Sequence, residues 1–182
     1  MRFHNIRIIV MTNIKKHSLT HMEYINKDVR RQDRLLDEAR AREIITTAEY
    51  GILSMADATG MPYGIPLNFV WDGNDCFYVH CAPEGRKLRM ISENRNVSFC
   101  IVGNVSLKPQ LFTTAYESVV LRGEASVVES DEERREALRL LVKKFSPEYE
   151  TLGAKYSEKS FHRVAILKIR FDVFSGKCKH VR

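Results

Sequence analysis

The run "FYVHCAPEGRKLRMISEN", residues 77–94, sets a polar, reactive pair, His80 and Cys81, at the end of an apolar segment and follows it with Gly85, Arg86 and Lys87. A loop that opens a helix offers backbone N–H groups to an anion, and Arg86 as a fork with Lys87 as a point charge would add cations, so a phosphate cradle is one reading. His80 could contact a phosphate or substrate, give a proton, or ligate a metal. The metal reading is weak, because His80 with Cys81, or Cys178 with His180, matches no common zinc spacing and neighbours on a strand point to opposite faces. A Cys81–His80 nucleophile pair fails on the same geometry and has no evident third group. A plain strand-to-helix turn, with His80 satisfied by hydrogen bonds, stays open.

A second constellation is "PYGIPLNFVW", residues 62–71. Alternation puts Tyr63, Ile65, Leu67, Phe69 and Trp71 on one face and Pro62, Gly64, Pro66, Asn68 and Val70 on the other. The first face reads as core. The second is small and flat, suited to a planar ligand, with Asn68 offering an amide donor and acceptor. Two prolines remove two ladder donors, which places this strand at an edge or a bulge. Tyr116 and Ser118, at the start of the strand "ESVVLRGEASVVES", offer hydroxyls that could reach a ligand, including one on a neighbouring subunit.

The elements that position these residues follow from period and punctuation. "DRLLDEARAREIITTAEYG" predicts a helix with Asp37 as N-cap and Gly51 closing its end. Strands with turns at 57–60 and 72–75 follow, the second close enough for an antiparallel hairpin. "EGRKLRMISEN" predicts a short helix and "NVSFCIVG" a strand. In the long strand beyond, Val119, Leu121, Gly123, Ala125 and Val127 share a face. Ser130 opens the helix "DEERREALRLLVKKFS", whose charges run from acidic to basic along the macrodipole. A shorter helical piece follows Pro147, and "HRVAILKIRFDVFSG" predicts the last strand. This order does not alternate as βαβ units do, so the class is α+β, mainly β: an antiparallel barrel decorated by helices.

At 182 residues the chain fits one domain. Its net charge of +6 is localised: residues 1–31 hold seven basic and two acidic residues, a local +5, which leaves +1 for the rest. The body therefore lacks the basic stripe interleaved with aromatics that nucleic-acid binding needs. The longest apolar run near the start, Ile8 to Met11, is too short for a signal sequence, and no segment approaches a membrane span, so a cytoplasmic protein with reduced cysteines is expected. No P-loop, dinucleotide fingerprint or H-E-x-x-H is present.

In order and spacing, the blocks "VRRQDRLL", "AEYGILSM", "GMPYGIPLNFVWDGNDCFYVHCAPEGRKLRMISENRNVSF" and "YESVVLRGEASVVESDEERREALRLLVKKFSPEY" resemble the pyridoxamine 5′-phosphate oxidase-like flavin-binding split barrels, and within them the 5-nitroimidazole resistance (Nim) proteins. The resemblance covers about Val29 to Lys177. It implies a domain over 29–177, a basic extension over 1–28 and a tail over 178–182. The implied fold is a six-stranded antiparallel split β-barrel of Greek-key topology, flanked by helices and dimeric, with a flavin in each cleft between subunits. FMN, or FAD if the cleft is open, would lie against Pro66, Leu67 and Asn68. Its phosphate would sit around His80, Cys81, Ala82 and Lys87, with Arg86 at a variable position, and the partner would contribute from the strand of Tyr116 and Ser118. The implied activity is transfer of electrons from reduced flavin to a nitroaromatic or related small molecule, with His80 as the catalytic candidate and no metal. Two alternatives accompany it: flavin binding or storage without turnover, and a pyridoxamine phosphate oxidase proper, against which Pro62 to Trp71 lacks an Arg/Lys-rich pattern. No nucleic acid or membrane partner is implied.

Overall fold

Asp37 starts the first helix as expected: its side chain accepts the N–H groups of Ala39 and Arg40 at 2.9 and 3.2 Å, and α1 runs over Glu38–Thr47. The helix stops at Ala48, already extended, and Gly51 has a different task from the closure expected of it. It lies inside a strand, where an added Cβ would stand 2.2 Å from the Phe99 ring and 2.9 Å from the Cys100 carbonyl oxygen.

The structure, a computed structural model, describes residues 22–181. The basic segment up to residue 21 lies outside the described residues. Glu23–Tyr24 (β1) is followed after α1 by Tyr50–Ala56 (β2), Pro62–Asn68 (β3), Val70–Trp71 (β4), Cys76–Cys81 (β5), Arg86–Glu93 (α2), Asn96–Lys108 (β6) and Thr113–Val127 (β7). Asp131–Phe145 (α3), Glu150–Ser160 (α4) and Ala165–Lys179 (β8) complete the order. Residues 22–28, counted above with the extension, join the body: β1 pairs in parallel with β8, Met22 is buried, and the Tyr24 hydroxyl donates to the Leu36 carbonyl. At the other end β8 carries the buried Cys178 to Lys179, inside the expected tail.

The sheet order is β3-β2-β6-β7-β8-β5-β4, antiparallel along that path. Its two edges, β3 and β4, are consecutive in the chain and separated only by Phe69. The sheet must therefore curl until its edges meet, and they meet through the chain and not through a ladder. The result is an unclosed, mainly antiparallel fold with a seam. Six of the eight described strands have six residues or more, while β1 and β4 have two each.

Inside the curl, Phe69, Phe77, Phe99 and Phe171 are fully buried; Phe69 stacks on Phe77 at 4.4 Å, and the other rings meet edge to face. The alternation read along β3 holds: Pro62, Gly64, Pro66 and Asn68 are exposed, and Tyr63, Ile65 and Leu67 are half-buried against the core. It ends at Asn68. Val70, expected on the open face, is buried with Tyr78, Ile166, Ala137 and Leu141 because α3 covers that side of β4, β5 and β8. Ser130 caps α3 by accepting the Glu133 N–H, and the Glu133 carboxylate then takes Tyr78 Oη and Lys168 Nζ, each at 2.7 Å, fixing the helix to the sheet.

The four cysteines are free, with Cys76 and Cys178 buried. Burial and the adjacent Asp75 push the Cys76 thiol up to about 12, so it stays a packing group. No described helix is long and apolar enough to cross a membrane.

Candidate functional site

The seam brings most of the expected ligand-binding residues together. Val70 and Trp71 pair with Tyr78 and Phe77, so the chain before β4 runs antiparallel to the chain that leaves β5. Two side-chain observations mark that course. Asn68 and His80 line one hollow, and the Arg86 guanidinium stacks 4.4 Å over the ring of Tyr63, near the start of β3. Residues 80–87 thus flank the edge strand along its length. Among the described residues no strand pairs with β3 on that side, and Pro66 and Asn68 are exposed on its outward face.

His80 and Cys81 diverge, as strand alternation requires. His80 is exposed toward α3 and α4, whereas Cys81 packs partly into the core, within reach of the Lys87 charge. Lys87, half-buried in the first turn of α2, thus lies near the end of β5. Burial raises the Cys81 thiol, and the Lys87 charge opposes the rise. Gly85 precedes α2 at φ +134° and provides no side-chain cap, which leaves the first N–H groups of that helix to other acceptors. Among the described residues, the one grouping of potential metal ligands is Asp72, Asp75 and Cys76, in the β4–β5 turn; His80 takes no part in it.

Tyr116 and Ser118 are elsewhere. They lie on β7, three steps along the sheet from β3, with β2 and β6 between. Ser118 is half-buried and donates to the Lys177 carbonyl at 3.5 Å, while Lys177 Nζ sits 5.9 Å from the Tyr116 ring centre. Within one chain, two strands separate these residues from the seam along the sheet. Between them the outer face exposes Tyr50, Val102 and Val120, and the β6–β7 hairpin continues the apolar surface through Val105, Leu107, Leu111 and Phe112, the last 98% exposed.

Two features of the site region were not read from the sequence. Glu117, buried between Tyr116 and Ser118, accepts from Arg40 Nε at 3.2 Å, from Arg40 Nη2 at 2.7 Å and from Asn104 Nδ2 at 2.6 Å. Arg40 foremost holds its carboxyl below the usual range. Asn104 is left-handed, at φ +46°, in the irregular stretch between Gly103 and Ser106, so this cluster fixes where the hairpin departs from the sheet. The second feature is Lys144 of α3. Its ammonium donates to Ala48 O at 2.7 Å and Phe69 O at 3.0 Å and lies 4.3 Å over the Phe69 ring, while Asn68 Nδ2 donates to Glu49 O at 2.9 Å. Together they tie the end of α1 to the residue that joins the sheet's edges.

Burial pushes the Lys144 ammonium from its ordinary 10.5 down to about 8. Its folded pKa is therefore the lower one, and between pH 8 and 10.5 the unfolded chain binds more protons, so this group makes stability rise with pH in that window. Urea unfolding at about pH 8 and about pH 10 should show the difference between the parent and Lys144→Met moving in the parent's favour; a difference independent of pH contradicts it.

An open, mainly antiparallel sheet flanked by helices, with a cationic turn along its seam, defines the class of fold. The chain belongs to the pyridoxamine 5′-phosphate oxidase family, whose model matches residues 37–178. It is similar to a candidate 5-nitroimidazole antibiotic resistance protein from Bacteroides thetaiotaomicron, at 29% identity over 80% of this chain and 86% of that one, with a TM-score of 0.65. Two further solved structures share the fold: an FAD- and haem-binding protein from Mycobacterium smegmatis (20% identity, 80% and 72% covered, TM-score 0.65) and a haem storage protein from Vibrio cholerae (21% identity, 76% and 90% covered, TM-score 0.57). Among curated proteins no sequence matches significantly.

Proposed function

We propose that this protein is an FMN-binding oxidoreductase that passes electrons from reduced flavin to a nitroaromatic or related small molecule, working as a homodimer of six-stranded split barrels. The observation that carries the reading is the seam: an uncovered strand face of Pro66 and Asn68, with His80 beside one end and the turn of Arg86 and Lys87 at the other. A flat ring system fits such a face because Gly64 and Pro66 raise no long side chain from it. Lys87 supplies a fixed cation for a phosphate, and the uncapped first turn of α2 supplies N–H donors beside it. When bound, the flavin contributes the redox chemistry. The chain's own part is to hold the ring, neutralise the phosphate and restrict water, with His80 among the polar side chains that line the adjoining hollow.

A second copy supplies what one chain lacks. Tyr116 and Ser118 lie beyond the exposed Tyr50, Val102 and Val120, and pairing that face with a partner would bury the patch and bring Tyr116 and Ser118 to the partner's cleft. Ser118→Trp should therefore lower FMN affinity by roughly tenfold, about 1.4 kcal/mol, measured by fluorescence titration. A fully loaded variant would argue against a contribution across the interface.

Turnover is tested by reducing the FMN-loaded protein anaerobically and adding a nitroimidazole. Reoxidation of the flavin with loss of the nitro absorbance is expected. Flavin that stays reduced favours the second reading, flavin binding without turnover, which is the reading closer to the storage function of the Vibrio cholerae neighbour.

A further inference from the structure

Among the half-buried cations of the fold, Lys144 stands apart in what it meets. Lys168 reaches the Glu133 carboxylate and Arg40 that of Glu117, each at 2.7 Å, so those charges are neutralised where they sit. The Lys144 ammonium touches only neutral groups: the carbonyl oxygens of Ala48 and Phe69, at 2.7 and 3.0 Å, and the faces of the Phe69 and Phe145 rings, at 4.3 and 5.4 Å. The carboxylate that acts on it from further away is that of Glu49, exposed between α1 and β2. Among the described residues, no other titratable group of α1, β3, β4 or its own helix bears on it. Carbonyl dipoles and ring faces turn their negative side to a cation but carry no net charge, so a positive charge remains beside the joint between β3 and β4. Phe69 follows Asn68 directly, which puts this charge at the end of the seam opposite Arg86, whose guanidinium lies over Tyr63.

We propose that Lys144 makes the seam favour the electron-rich form of its ligand, its charge stabilising the reduced, anionic flavin over the oxidised, neutral ring. The ligand is the flavin proposed above, so the role rests on that reading. Reduction brings two electrons and one proton to the ring near neutral pH, which leaves it with one more negative charge; dithionite is the reductant in the test below. At an effective dielectric of about 20, one unit charge acting over about 10 Å shifts such an equilibrium by roughly tenfold, without any contact between ammonium and ring. Burial lowers the lysine to about 8, so its charge is present at pH 7 and withdrawn above pH 8, and the bias should fade with it. A side chain that served only to tie α1 to the joint would change the binding of both flavin forms alike, and this difference separates the two roles.

The test is the midpoint potential of bound FMN, read against a reference dye under dithionite in the full-length protein and in Lys144→Met, whose thioether keeps an apolar contact with the Phe69 ring. At pH 7 the variant is expected to favour reduced over oxidised flavin about tenfold less than the parent does, a potential lower by about 30 mV for the two-electron couple. Its affinity for oxidised FMN should stay within about threefold of the parent's. At pH 9.5 the gap between the two potentials should shrink to less than about threefold in the same ratio. Equal potentials at pH 7 overturn the proposal, as does a gap that persists unchanged at pH 9.5. Should Lys144→Met fail to fold, the parent decides by comparison with free FMN: the offset between bound and free potentials should fall by up to about 30 mV from pH 7 to pH 9.5, and a constant offset overturns the role. A protein that takes up no FMN loses the flavin reading and the role of Lys144 together, whereas one that holds FMN at a potential indifferent to Lys144 loses that role alone.

Discussion

Lys87→Ala is expected to weaken FMN binding by roughly 10- to 100-fold, the equivalent of losing one charge-assisted hydrogen bond of about 1.5–3 kcal/mol. The side chain is half-buried in the first turn of α2, close to Cys81, so less ordering is needed when a phosphate arrives than for a fully exposed lysine. The loss should be largest at low ionic strength, where the contact is least screened. Arg86→Ala should cost less, because Arg86 is exposed and engaged with the Tyr63 ring. A Lys87→Ala protein with parental affinity at low salt would take the phosphate role away from this turn.

The second large effect is on the fold. In β7, the pairing with β8 shifts between Arg122 and Gly123, and a Cβ at Gly123 would fall 1.9 Å from the Arg170 carbonyl oxygen and 2.7 Å from Phe171 Cα. Both obstacles are backbone of a central strand and cannot rotate aside. Gly123→Val should therefore destabilise by roughly 3 kcal/mol or more. Gly64→Ala makes the contrast: its Cβ would meet Ile52 Cγ2 at 3.6 Å, an ordinary contact, and should change stability by less than about 1 kcal/mol. Denaturant midpoints that place the two variants together would contradict this account of the bulge.

What the sequence reveals about this fold is local. Asp37 and Ser130 announce their helices through their own side chains, the turn at 72–75 carries its Asp-Gly-Asn-Asp signature, and the small residues of β3 alternate as an edge strand should. Non-local partners are invisible to that reading. Lys144 sits at a helix end where a basic residue already has a reason to be, so nothing signals that it reaches Ala48 and Phe69, 96 and 75 residues away. Gly51 follows a helix and so reads as its closure, yet it is the Phe99 ring across the sheet that requires a glycine there. Arg40 reads as one charge among several on α1, and only the curl of the sheet sets it beside Glu117.

The site divides in the same way. Residues 66–68 and 80–87 are legible because each lies in one short stretch with its own composition. That the two stretches flank one seam depends on the open sheet curling until its edges approach. Tyr116 and Ser118 lie three strands along the sheet from β3, and the contribution proposed for them requires the exposed face between Tyr50 and Val120 to meet a second copy.

The most direct measurement of the central claim is an absorption spectrum of the purified protein titrated with FMN, with mass identification of the bound chromophore after removal of free ligand. The seam predicts a yellow protein that retains about one FMN per chain and loses it in the Lys87→Ala variant. A colourless protein that takes up no added FMN would contradict the assignment of this seam as a flavin site.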